Sequence, residues 1–253
     1  MRILLALVLT ISCGVSVVSA EGLPTGMGGN TAIDATPEAQ IQDAQNLTDV
    51  QKAQLMEKLS QNSLTPAQLP ASRSTTWYHL NSRFNTYAQE AENFCGIACA
   101  QSAIEYLRQD TIFDQDTISE EVPVESWGTT LTNLKSFLND YQTQNTYTLK
   151  SYQTTLGNMQ STLYLGVTHY DAPPIACIVI LTTTGTGWPE PTNGHAVIVR
   201  GVRSDYSYFA ISDPGFVYFG NDVDASYMDG RYTVSAADLH NAISSMTKCG
   251  FIY

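Results

Sequence analysis

Apolar positions change their spacing along the chain, and each change predicts a different element. Residues 3–8 and those after them form an apolar stretch, which Ser12, Cys13, Gly14 and Ser16 interrupt. Residues 21–35 are Gly- and Thr-rich with little apolar pattern and predict irregular chain. Helical spacing begins near residue 36. Thr36-Pro37-Glu38-Ala39 has the look of a capped start with Pro at the first helical position. Further on, Val50, Leu55 and Leu59 fall near one helix face. Residues 63–74 (SLTPAQLPASRS) predict a linker. From Trp77 the chain becomes aromatic and core-like. Between Cys95 and Arg108, Ile97, Ala100, Ile104 and Leu107 recur at helical spacing. Residues 130–141 repeat the pattern with Leu131, Leu134, Phe137 and Leu138.

The second half reads differently. Residues 175–181 form an unbroken apolar run suited to a buried strand. Residues 195–202 and 206–212 predict two more strands, joined by a hairpin turn at Arg203-Ser204-Asp205. Tyr232-Thr233-Val234 predicts another strand. Ser235 is placed to cap a last helix over residues 236–245. Helices first and antiparallel strands later make an α+β arrangement. Three regions are expected: an export signal over residues 1–20, a leader over 21–74, and one domain over 75–253. The leader stands as either a propeptide or a plain spacer.

Arg2, the apolar run and the small residues Val18-Ser19-Ala20 are the parts of a secretory signal, with Glu21 as the mature start. The run is too short and interrupted for a membrane anchor, so a secreted protein is expected, extracellular or periplasmic. Acidic residues outnumber basic ones 24 to 12, for a net charge of -12. That excess argues against nucleic acid and anionic membranes as partners, because both need basic patches. Cys13 departs with the signal, leaving Cys95, Cys99, Cys177 and Cys249. Pairing is not readable from spacing; Cys177 with Cys249 is the preferred pair, since Cys99 sits where a small core residue would pack.

Cys95 stands at the mouth of an apolar helix, where backbone N–H groups and the helix dipole favour a thiolate. Asn93 is the candidate cap. His195 opens a strand, and Asp213 closes the next one before Pro214. Histidine can take the thiol proton and return it to a leaving amine, while an acid orients the ring. Gln89, six residues before Cys95, can join the Cys95 N–H as an oxyanion donor. Taken singly, each residue has an ordinary reading: a core cysteine, a strand histidine, a turn aspartate. Their joint order favours catalysis. Gly194 and Trp188 are expected at the cleft, with a loop anchor as the alternative for Trp188. His79, His169 and His240 compete poorly as the base. The sequence has no His-Glu-x-x-His helix and no Gly-x-Ser-x-Gly elbow. The acidic loop with Asp222, Asp224 and Asp229 lacks a full calcium-loop spacing. No metal and no cofactor is expected.

The three stretches Gln89-x5-Cys95-Gly96-Ile97-Ala98-Cys99, Gly194-His195-Ala196-Val197 and Asp213-Pro214 resemble the papain-like cysteine peptidases. The branch is that of the bacteriocin double-glycine leader peptidases and their secreted relatives. The resemblance covers about residues 75–245. It implies a papain-like fold with Cys95 as nucleophile, His195 as base, Asp213 as orienter and Gln89 as oxyanion donor. Ile97 departs from the Pro many relatives carry, and the third member is Asp rather than papain's Asn. Leader peptidases proper sit on transporters in the cytoplasm, a role the export signal argues against. Gly28-Gly29 is read as plain chain rather than a cleavage site. The expectation is a secreted cysteine peptidase acting on a peptide or protein. An acyl transferase or amidase on the same thiol, or a non-catalytic binding module, are the alternatives.

Overall fold

A computed structural model describes residues 36–69, 75–110 and 113–253. The expected signal and Gly28-Gly29 lie outside these residues, as does the end of the linker. The N-terminal segment folds as helices α1 (Pro37–Asp43) and α2 (Asp49–Ser60). Thr36 caps α1 with Pro37 in its first turn, and Thr48 forms a reciprocal capping box with Gln51 on α2. The domain proper follows as β1 (Trp77–His79), α3 (Cys95–Arg108), α4 (Gln115–Glu121), α5 (Leu131–Tyr141), β2 (Leu149–Ser151) and α6 (Leu156–Thr168). It is completed by β3 (Ile175–Ile180), β4 (Thr192–Arg203), β5 (Tyr208–Ser212), β6 (Arg231–Ser235), α7 (Ala236–Ser244) and β7 (Gly250–Ile252).

The strands form one seven-stranded sheet in the order β2-β7-β3-β4-β5-β6. All the pairings are antiparallel. The long β4 pairs with β3 along its first half, and β1 continues that flank against residues 201–203. Helices before the main strands and an antiparallel sheet after them give the expected α+β class. α3 explains why its pattern is so apolar. Of its residues only Glu105 and Arg108 are not buried, because it packs on β4 on one side and on α4 and α5 on another. α5 turns Leu131, Leu134, Phe137 and Leu138 inward, as its spacing predicts.

Some elements were not anticipated. α6 is diluted by Gly, Ser, Thr and Asn, yet Met159, Leu163 and Val167 are buried at intervals of four. β1, β2 and β7 are three residues each, too short for a periodicity to show. The buried face of α2 also differs from expectation. Gln51, Leu55 and Lys58 turn inward, Leu59 is half-buried, and Val50 is 63% exposed.

This N-terminal arm docks through polar contacts. Lys58 Nζ donates to Asn145 Oδ1 and to the main-chain oxygen of Tyr253, each at 2.7 Å. The rings of Tyr170 and Tyr253 lie 4.3 and 4.7 Å from it. Burial holds the Lys58 pKa well below the usual lysine range, against the opposing pull of Glu57. Gln40 Oε1 accepts the Leu149 N–H, and Gln51 Nε2 donates to the Asn139 carbonyl. Among the described residues, no helix is long and apolar enough to cross a membrane.

Candidate active site

α3 begins at Cys95, with Phe94 at the capping position and no side chain closing the turn. The expectation that Asn93 caps it is corrected: Asn93 Nδ2 donates instead to the Glu125 carbonyl, 2.9 Å away. The first N–H groups of α3 therefore have no side-chain acceptor at the cap. Cys95 is fully buried, and its Sγ lies 3.3 Å from the Ala196 N–H. Cys99, one turn deeper, is buried in the core, and its thiol pKa is pushed well up by burial first, then by Cys95 and Asp213.

His195 comes from β4. The register is Ile178 opposite His195 but Val179 opposite Asn193, so Gly194 is an extra residue, a bulge. Its φ is 83°, a left-handed value that suits glycine. Gly194 thus sets the aim of His195 through the backbone, which sequence reading had assigned only as cleft lining.

Asp213 directly follows β5 and caps the 3-10 turn Pro214–Tyr218. Its Oδ1 accepts the Gly215 N–H at 2.8 Å and lies 2.6 Å from His195 Nε2. Its Oδ2 accepts the Tyr232 hydroxyl at 2.6 Å. Asp213 is only 3% exposed and His195 6%. Burial alone would raise the carboxyl pKa, but the His195 charge and the hydrogen bonds from His195, Tyr232 and Gly215 hold it below the usual range. Burial alone would lower the His195 pKa, yet Asp213 and Cys95 raise it well above the ordinary value. A hydrogen bond with Cys95 contributes to that rise. With Nε2 on Asp213, Nδ1 is the nitrogen left to face the sulfur. Gly215 must be small, since a Cβ there would meet His195 Cε1 at 2.9 Å.

Gln89 is 4% exposed and anchored by its own N–H to the Pro214 carbonyl at 2.9 Å. Its Nε2 donates to the carbonyls of Ala91 and Glu92, both at 3.0 Å, while Oε1 has no partner. The amide is therefore beside the site with both protons engaged. Trp188 is 4% exposed and packs edge-on against Tyr232 at 6.1 Å. It is not among the residues lining the recess beside His195.

Tyr232 was read only as a strand residue. Its alternation with the buried Val234 puts it inward, and an inward tyrosine needs a partner for its hydroxyl; that signal was present. The other histidines lie elsewhere. His169 pairs with Glu57 at the surface, and His240 Nε2 meets the Thr154 carbonyl. Among the described residues, no three His, Cys, Asp or Glu side chains cluster to hold a metal ion. Cys177 and Cys249 are buried with sulfurs 2.6 Å apart, because β3 sets Cys177 opposite Gly250.

A helix mouth presenting a thiol to a histidine, itself held by a buried carboxylate on an antiparallel sheet, is the arrangement of a papain-like cysteine peptidase. Residues 82–234 match the family described as the Peptidase_C39 like family. The chain belongs to that family and is a papain-like cysteine peptidase, a hydrolase. Among solved structures it is similar to xylellain, a cysteine protease from Xylella fastidiosa. That likeness has 15% identity over 74% of this chain and 86% of the other, with a TM-score of 0.47. No curated protein sequence matches.

Proposed function

We propose that the protein is an exported peptidase that cuts peptide bonds through a Cys95 thioester. The observation that carries this reading is the His195 ring, with Nε2 on Asp213 at 2.6 Å and Nδ1 left for Cys95. The raised His195 pKa favours the imidazolium that an ion-paired thiolate requires. The thiolate attacks the carbonyl carbon and forms the C–S bond. The oxyanion takes hydrogen bonds from N–H groups at the start of α3 and from Gln89, whose amide must first turn away from the Ala91 and Glu92 carbonyls. His195 Nδ1 gives its proton to the leaving amine as the C–N bond breaks. Water, deprotonated by the same nitrogen, then hydrolyses the thioester and returns the proton. Because Cys95 is fully buried, substrate entry needs a local movement at the mouth.

An acyl transferase or amidase shares the first half of this sequence and differs in what attacks the thioester. Export rests on the residue 1–20 pattern, and the propeptide reading of residues 21–74 rests on composition. Cys95→Ser in protein secreted by its native host is the test. Peptide hydrolysis should fall at least ~10³-fold, the scale of losing a nucleophile. Unchanged turnover would remove Cys95 from the mechanism. Fractionation of the host should place the wild-type protein outside the cytoplasm with an N-terminus at Glu21 or further into the leader; protein retained in the cytoplasm with Met1 intact would overturn export.

A further inference from the structure

The arm over residues 36–69 meets the domain on a face made by the end of α5, residues 142–149, α6 and Tyr253. There its side chains take main-chain groups of the domain. Gln51 Nε2 donates to the carbonyls of Asn139 and Gln142, at 2.7 and 3.3 Å. Lys58 Nζ reaches the main-chain oxygen of Tyr253, and Gln40 Oε1 accepts the Leu149 N–H at 2.8 Å. Leu149 opens β2, which stands at one end of the sheet, so Gln40 covers part of that edge. The domain returns its own side chains. Thr146 Oγ1 donates to the Gln51 carbonyl at 3.1 Å, and the Tyr170 hydroxyl to Gln61 Oε1 at 2.8 Å. Gln40, Gln51 and Lys58 on the arm, and Asn145, Thr146 and Leu149 on the domain, are each at most 4% exposed. Contacts so dry and so fully paired are those of one folded unit.

The face lies away from the thiol. α3 has 14 residues from Cys95 to Arg108, which is about 20 Å of helix. Arg108 Nη1, at the far end, donates to the Tyr141 carbonyl at 3.1 Å. Gln51 takes the carbonyls on either side of Tyr141, so the arm sits at the tail of α3, not at its mouth. The recess beside His195 is lined by Gln89 and by residues between 180 and 219, none of them from the arm. A leader that inhibits by blocking has to cover Cys95 or His195, and this one is seated elsewhere.

We infer that this face is a permanent seat for the chain's own arm. Residues 36–69 stay on the working enzyme, even after a cut in residues 70–74, and do not act as an inhibitory leader. That the working enzyme is a peptidase rests on the reading above; the seating of the arm does not.

The test uses the full chain with the recognition sequence of a specific protease in place of residues 70–74. After the cut, arm and domain should co-elute in size-exclusion chromatography, and peptide hydrolysis should stay within about twofold of the uncut chain. In the same cut chain, Lys58→Ala removes two buried hydrogen bonds, and the arm should dissociate at least ~10-fold faster on dilution. If that variant fails to fold, the parent chain decides. Active enzyme purified from the host should contain residues 36–69 by intact mass. The inference is overturned by an arm that elutes apart from the cut parent, by hydrolysis that rises severalfold on cutting, by equal dissociation in the folded Lys58→Ala variant, or by active native enzyme that lacks residues 36–69. A chain that hydrolyses nothing before or after the cut overturns the peptidase reading, and co-elution then still judges the seat.

Discussion

Tyr232→Phe removes one oxygen and leaves the ring. The ring keeps its contacts with Trp188 and Tyr227, whose centroids lie 6.1 and 5.3 Å away. What goes is a 2.6 Å hydrogen bond to the buried Asp213 carboxylate, while the bonds to Gly215 and His195 remain. A hydrogen bond to a charged group contributes about 1.5–3 kcal/mol, so stability at pH 7 should fall by about that amount. Asp213 has a depressed pKa in the fold. Its stabilising contribution is thus present above the unfolded carboxylate value of about 4 and is lost as pH falls through the folded value. The difference between variant and wild type, measured by urea unfolding, should shrink below pH ~4. Without the hydroxyl the Asp213 pKa rises, so the acid limb of the kcat/KM profile should move to higher pH. Activity at neutral pH should fall about tenfold, which corresponds to ~1.4 kcal/mol of lost His195 positioning. Equal stability with superimposable pH profiles would refute the argument. A stability loss with an unmoved acid limb would leave Tyr232 structural and not a positioning residue.

Gly194→Ala places a Cβ at φ 83°. It should cost ~1–2 kcal/mol and lower activity more than a distant substitution of equal cost, because His195 follows directly; an unchanged melting temperature would refute the bulge argument. Lys58→Ala removes a buried stem and two hydrogen bonds, and should destabilise by roughly 2–5 kcal/mol. Limited proteolysis should then release the arm over residues 36–60 faster than in the wild type, and equal release would show that Lys58 does not hold the arm.

Much of this protein is written in short-range pattern. α3 and α5 were legible because amphipathic spacing and a helical period are properties of neighbouring residues. The buried strand β3 was legible as an apolar run, and the caps at Thr36 and Ser235 were legible as local hydrogen bonding. The types and order of Gln89, Cys95, His195 and Asp213 also pointed to thiol chemistry before any fold was known. Only the tertiary structure put His195 and Asp213 within 2.6 Å of each other, through a bulge at Gly194 that no spacing reveals. It turned Trp188 inward, gave Asn93 to Glu125 in place of the helix cap, and made Tyr232 a partner of Asp213. It also buried Lys58, which in sequence looks like any lysine on a polar helix. The physical division is one of range. Periodicity and caps are decided by residues a few positions apart, so the chain alone carries them. The partner of a buried polar group comes from a distant element, and only packing determines which one arrives.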